Sequence, residues 1–181
     1  MFTYMLNENL ELRLLELQDA ERIHDLIDQS RNHLREWLPW VDHSTTVEDT
    51  IAFIKGTRTG FANNTSLTAG IVYNDELAGV AGFNEMNWSN KLAVMGYWLG
   101  EGFQGNGIMT KVSKGLTDYA FSYLKMNKVE ITAAEFNYRS RAIPERLGFT
   151  MEGKIRQREW VNGQFVDHIV YGILRDEWKK S

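Results

Sequence analysis

A strand-like run from Leu92 to Leu99 leads into Gly102-Phe103-Gln104-Gly105-Asn106-Gly107, and an amphipathic pattern begins at Ile108 or Met109. Few folds accommodate that junction. Glycine tolerates positive φ and lets backbone approach a ligand closely, while the first turn of the following helix offers unpaired N–H groups at the positive end of its dipole. The junction therefore reads as an anion cradle. Its G-x-x-G-x-G spacing is not the G-x-G-x-x-G of a dinucleotide fold, and it follows several strands instead of the first. Gly102 and Gly107 have the separation that opens a nucleotide-triphosphate loop, yet Ile108 and Met109 stand where lysine and a hydroxyl residue would meet phosphate and magnesium. That pattern argues against ATP or GTP hydrolysis.

The hydrophobic period on either side of the junction specifies its surroundings. Leu10–Leu14 reads as a strand, and 19–29 as a helix with Ala20, Ile23, Leu26 and Ile27 on one face. Ser30 is expected to cap a short helix over 31–38 that Pro39 brings to its end. Thr46-Val47-Glu48-Asp49 opens a third helix with Ile51, Phe53 and Ile54 available for packing, although its acid is Asp instead of the usual Glu or Gln. From Leu67 the period becomes that of strands: Leu67–Tyr73, a turn at Asn74-Asp75-Glu76, 77–83, a polar bend at 87–90, and Leu92–Leu99. Three successive strands predict a meander over a doubly wound fold. Beyond the glycines, Val112, Leu116, Tyr119, Ala120 and Tyr123 form a helical stripe that returns the chain to a strand at 129–134, a β-α-β unit. A helix over 140–147 has to place Pro144 in its first turn or kink there. Thr150–Val161 and 165–174 complete a hairpin around Asn162-Gly163.

Composition narrows the class. A chain of 181 residues fits one α/β (α+β) domain over 1–181, burying roughly 70% of its unfolded surface. The absence of cysteine removes disulfides, thiol nucleophiles and thiolate metal sites. His24, His33, His43 and His168 show no zinc-ligand spacing, so no metal is expected. Residues 1–15 alternate polar with apolar and carry acidic side chains, unlike a secretory h-region or a membrane span, which predicts a cytoplasmic protein with no membrane partner. A net charge of -4 argues against a nucleic-acid partner, though a local pocket can oppose the global sign.

The stretch Gln104 to Ile108 resembles the Q/R-x-x-G-x-G/A element of the GCN5-related N-acetyltransferase (GNAT) family, with Met109 in place of the closing Gly or Ala. Its context resembles the RimJ/RimL-like branch, which acetylates protein N-termini including those of ribosomal proteins. Gly96-Tyr97-Trp98-Leu99 precedes the loop, and Asn137-Tyr138-Arg139-Ser140 leads to Pro144-Glu145-Arg146-Leu147-Gly148-Phe149. The likeness extends over 12–171. It implies a central mixed, mostly antiparallel, splayed sheet flanked by helices that binds acetyl-CoA without a metal. By this resemblance the pantetheine arm runs beside Trp98 and Leu99, and Gln104, Gly105, Asn106, Gly107, Ile108, Met109 and Thr110 cradle the pyrophosphate. Asn137 contacts the cofactor arm or fixes the loop, and Ser140 is the general acid that protonates the thiolate; the alternative is that either residue caps the helix.

Amine acetylation needs a neutral nucleophile, an oriented thioester and a proton for the departing sulfur. The resemblance offers Glu159 as base and Glu85 as its competitor, and spacing does not decide between them. Glu159 can equally form an ion pair with Arg156 or Arg158. His168, beside Asp167, is an acid/base reserve, while His24 and His33 read as helix-surface groups. Trp37, Trp40 and Trp88 can line an acceptor groove, a core or a dimer surface, and Tyr138 and Arg139 can cover the cofactor. The leading acceptor is a protein N-terminus, a ribosomal protein's in particular. A small amine such as a polyamine or an antibiotic-like compound is the second reading, and a non-catalytic CoA-binding regulatory module the third. The family also makes a homodimer an open expectation.

Overall fold

A computed structural model describes residues 3–178. Eight strands form one sheet: β1 (Thr3–Asn7), β2 (Leu10–Leu14), β3 (Leu67–Tyr73), β4 (Glu76–Asn87), β5 (Leu92–Leu99), β6 (Lys128–Ala134), β7 (Thr150–Val161) and β8 (Gln164–Leu174), in the order β1-β2-β3-β4-β5-β6-β8-β7. The first five make an antiparallel meander. β6 then joins parallel to β5, and β8 lies antiparallel between β6 and β7. The sheet is thus mixed and mostly antiparallel. β1 is the strand that pattern reading passes over: its inner face is only Tyr4 and Leu6, half-buried against the core between exposed Thr3, Met5 and Asn7.

Five helices cover the sheet: α1 (Ala20–Gln29), α2 (Arg31–Leu34), α3 (Val47–Ala62), α4 (Ile108–Ser122) and α5 (Tyr138–Arg146). Two apolar clusters result. Leu12, Ile71, Phe83, Met95 and Ile131 pack with Val112 and Leu116 of α4, while Ile23 and Ile27 of α1 meet Ile54 of α3 above Leu77 and Val80. Each fully buried side chain of this size contributes about 1.5–3 kcal/mol.

Several local expectations are revised by tertiary contacts. The helix after Ser30 stops at Leu34, and Pro39 instead occupies the first turn of a 3-10 segment, Pro39–His43. The Ser30 hydroxyl caps nothing, because it accepts the Glu101 N–H at 2.9 Å. At Thr46 a complete capping box closes despite the shorter acid: Asp49 N donates to Thr46 Oγ1 at 3.2 Å, and Thr46 N donates to Asp49 Oδ2 at 2.9 Å. Phe53 and Tyr123 do not enter the core and are 43% and 68% exposed. β4 continues through a bulge to Asn87, beyond the expected end at Phe83.

Candidate active site

β5 and β6 pair only from Leu92↔Lys128 to Met95↔Ile131. Beyond that register Gly96–Leu99 stay with β4 while 132–134 stay with β8, so two parallel strands part with a gap between their edges. The gap opens into a cleft of about 2080 Å³. Gly100 N–H donates to Ala78 O at 2.8 Å and ends the strand, and a 3-10 turn, Glu101–Phe103, carries the chain to the glycine loop.

Gly105 and Gly107 have φ of +80° and +67°, and a Cβ added at either would meet nothing within 4 Å. Both glycines therefore face open space in a conformation that side chains resist. Gly107 is the N-cap of α4. The first backbone donor bonded back to it is Lys111 N, and the N–H groups of Gly105 through Thr110 have no acceptor among the described residues. Such an array, with a helix dipole behind it, suits an anion. Arg139, Arg146 and Lys111 also line the cleft here. Arg139 donates to Gln104 Oε1 at 2.8 Å and Arg146 to Thr110 Oγ1 at 2.7 Å, neutral partners, and neither guanidinium has an ion pair among the described residues. A pyrophosphate fits this chemistry.

The opposite end of the cleft is formed by 33–53 and the β7–β8 hairpin. Ile155 of β7 opposes His168 of β8, whereas Glu159 opposes Val166, so 156–158 bulge against Asp167 alone. Gln157 takes φ +50° in that bulge, and its N–H donates to Asp167 Oδ1 at 2.8 Å. Asp167 is held below the ordinary carboxylate range by that N–H and by Lys154. The bulge sets Glu159 diagonal to His168, and the Glu159 carboxylate contacts His168 Nε2 at 3.0 Å. Neither Arg156 nor Arg158 pairs with Glu159 among the described residues. At the hairpin tip Asn162 Nδ2 donates to the carbonyls of Arg35 and Glu36, at 3.0 and 3.3 Å, and ties the two walls together.

The cleft lining gathers Trp98, Leu99, Gln104, Gly105, Gly107, Ile108, Met109, Thr110, Asn137, Ser140, Glu159, Trp37 and Trp40. Three anticipated residues do not line it with their side chains. Glu85 is exposed and off the cleft: the register slips between Phe83 and Glu85, and Asn84 borders the cleft in its place. Trp88 donates its indole N–H to Asn64 O at 2.6 Å, bracing the end of β4 away from the cleft. Asn106 folds its amide back onto the carbonyls of Phe103 and Gln104 and supports the loop from behind. Asn137 caps α5, accepting Ser140 N–H at 3.1 Å on Oδ1. His33, read from sequence as a surface group, lines the cleft with its Nε2 in hydrogen-bond contact with Gln104. Tyr97 and Asn84 went unsuspected. The Tyr97 hydroxyl, pushed up to about 12 by burial, reaches α5 across the gap. Asn84 covers Gly96, where any Cβ would come within 2.2 Å of its Nδ2.

A parallel strand pair that parts over an amide-lined loop defines an acetyltransferase. The family model described as an acetyltransferase (GNAT) domain matches residues 9–150, and the chain belongs to that family as an acetyl-CoA-dependent acetyltransferase near its RimJ/RimL-like branch. It is 39% identical to YdaF of Bacillus subtilis (strain 168), over 99% of this chain and 98% of that one. Among solved structures, the RimL ribosomal L7/L12 alpha-N-protein acetyltransferase in complex with coenzyme A superposes with a TM-score of 0.93 at 29% identity, covering 96% of this chain and 98% of the other. The microcin C7 self-immunity acetyltransferase MccE, in complex with acetyl-CoA and AMP, gives 0.89 at 31% identity, covering 93% and 94%. No helix among the described residues is long and apolar enough to cross a membrane.

Proposed function

We propose that the protein transfers acetyl from acetyl-CoA directly to the N-terminal amine of a protein, in the first instance a ribosomal protein, with donor and acceptor together in the cleft. The observation that carries this reading is that one cleft holds an amide-lined loop at its β5 end and the Glu159–His168 pair at its hairpin end. Acetyl-CoA supplies the activated acyl group. The N–H groups of Gly105 to Thr110 hold phosphate oxygens, with Arg139 and Arg146 adding charge. Trp98 and Leu99 present the free edge of β5 to an amide-bearing arm.

Glu159 takes the amine proton on a carboxylate oxygen, directly or through water, and His168 orients that carboxylate. An α-amine has a reference pKa near 8 against about 10.4 for lysine, so a modest base serves an N-terminus better than a side chain. Ser140 Oγ gives a proton to the departing sulfur. With no cysteine in the chain a cysteinyl acetyl-enzyme cannot form. Trp37 and Trp40 offer rigid apolar surface beside the acceptor end. A small amine is the second reading, favoured by the likeness to MccE.

Mass spectrometry after incubation with acetyl-CoA and host cell extract tests the acceptor. Acetyl is expected on the N-terminal amine of a protein. Acetyl confined to small amines or to lysine side chains would overturn the choice of acceptor.

A further inference from the structure

Pro144 lies inside α5 and brings no N–H. The carbonyl four residues earlier belongs to Ser140, so the bond a regular helix makes at this point is missing and an acceptor is left open. Tyr97 fills it. Its hydroxyl donates to Ser140 O at 3.2 Å, reaching from β5 across the parting strands. A phenol has one proton, and this bond occupies it, so Tyr97 Oη turns only lone pairs toward its other neighbours. One of those is the Ser140 hydroxyl, which donates to Tyr97 Oη at 3.5 Å, the outer limit of a hydrogen bond. Backbone carbonyl and side-chain hydroxyl of one residue are thus both held by one phenol.

We propose that Tyr97 is a positioning residue for Ser140: anchored on the carbonyl that Pro144 cannot satisfy, it holds the Ser140 hydroxyl at the cleft wall on a bond weak enough to be exchanged. The proposal rests on the acetyl-transfer reading, in which Ser140 is the acid. A sulfur anion accepts more strongly than a neutral phenol oxygen, so the Ser140 proton turns from Tyr97 Oη to the sulfur without displacement of Oγ. As the C–S bond breaks, its electron pair goes to sulfur, the Oγ proton follows, and Oγ is reprotonated from solvent, to which Glu159 gives up the proton it took from the amine. Tyr97 keeps its own proton throughout, consistent with its high pKa. Phenylalanine would fill the same space and do none of this.

The test measures thiol release with acetyl-CoA and a peptide bearing an N-terminal serine, alongside thermal unfolding. Ser140→Ala is expected to lower kcat about 100-fold, and Tyr97→Phe about tenfold. The double variant should match Ser140→Ala within about twofold, because the two residues act as a unit. In Tyr97→Phe/Pro144→Ala the new N–H takes the Ser140 carbonyl back into the helix. Tm should then recover while kcat stays at the Tyr97→Phe level. Recovery of kcat together with Tm would make Tyr97 merely structural and overturn the proposal, as would a further tenfold loss on adding Tyr97→Phe to Ser140→Ala. Parent-like turnover in Ser140→Ala would sink the acid assignment itself and this proposal with it. Loss in Ser140→Ala with none in Tyr97→Phe would sink the positioning role alone.

Discussion

At Gly107 the backbone holds φ +67° and the place of a side chain faces open space, so a substitution there acts on conformation and on the ligand before it acts on packing. Gly107→Val is predicted to weaken CoA binding at least tenfold by calorimetric titration, roughly 1.4 kcal/mol or more; unchanged affinity would reject the phosphate geometry. Asp19 illustrates a residue that serves the fold. Its carboxylate takes two bonds from Arg13, at 2.7 and 2.8 Å, and one from Glu16 N–H at 2.8 Å, where β2 hands over to α1. Burial alone would raise its pKa, but the Arg13 guanidinium and that N–H outweigh burial and hold it below 3.8. Its stabilisation is therefore complete above the unfolded value of about 4 and fades as pH falls through the lower folded value. Asp19→Asn is predicted to cost about 3 kcal/mol in urea denaturation at pH 7, with the gap to the parent narrowing below pH 4. A gap independent of pH would show that charge is not the cause. Glycines and the serine of a family motif are legible because their chemistry is local. His33, Asn84 and Tyr97 are not, since each reaches the cleft through a contact with a distant segment.

Among the elements, the strands from Leu67 to Leu99 and the terminal hairpin could be read closely from alternation and from Asn162-Gly163. Bulges could not. A bulge changes which side chains face a cleft without changing the apolar count that pattern reading uses. That is why spacing left Glu85 and Glu159 as equals, while the slips in β4 and β7 send one out and bring the other beside His168. The hairpin also closes the proposed acceptor end through Asn162, whose own φ is +49°. Asn162→Gly keeps that turn conformation accessible and removes only the tie to Arg35 and Glu36. It is predicted to raise the acceptor KM severalfold in steady-state kinetics and to leave acetyl-CoA affinity unchanged. Equal effects on both substrates would mean that the tie holds the whole cleft.

At the scale of the molecule, function follows from one topological event. A strand–helix–strand unit sets β6 parallel to β5, but each strand is claimed by an antiparallel neighbour, β4 on one side and β8 on the other. Twist then parts them after Met95 and Ile131, and α4 begins with its free N–H groups beside the opening. The net charge of -4 gives no hint of this site, where Lys111, Arg139 and Arg146 oppose the global sign. The meander and the β-α-β return were legible in the chain; the parting, a competition among neighbours, came only through family resemblance. The donor is accordingly better specified than the acceptor, whose proposed pocket draws on segments far apart in sequence. The most direct test of the central claim is the rate of CoA thiol release measured with and without amine acceptors, N-terminal peptides among them. Release that rises with amine concentration and yields one acetylated amine per thiol is predicted. Tight CoA binding with no amine able to raise release above hydrolysis would contradict it.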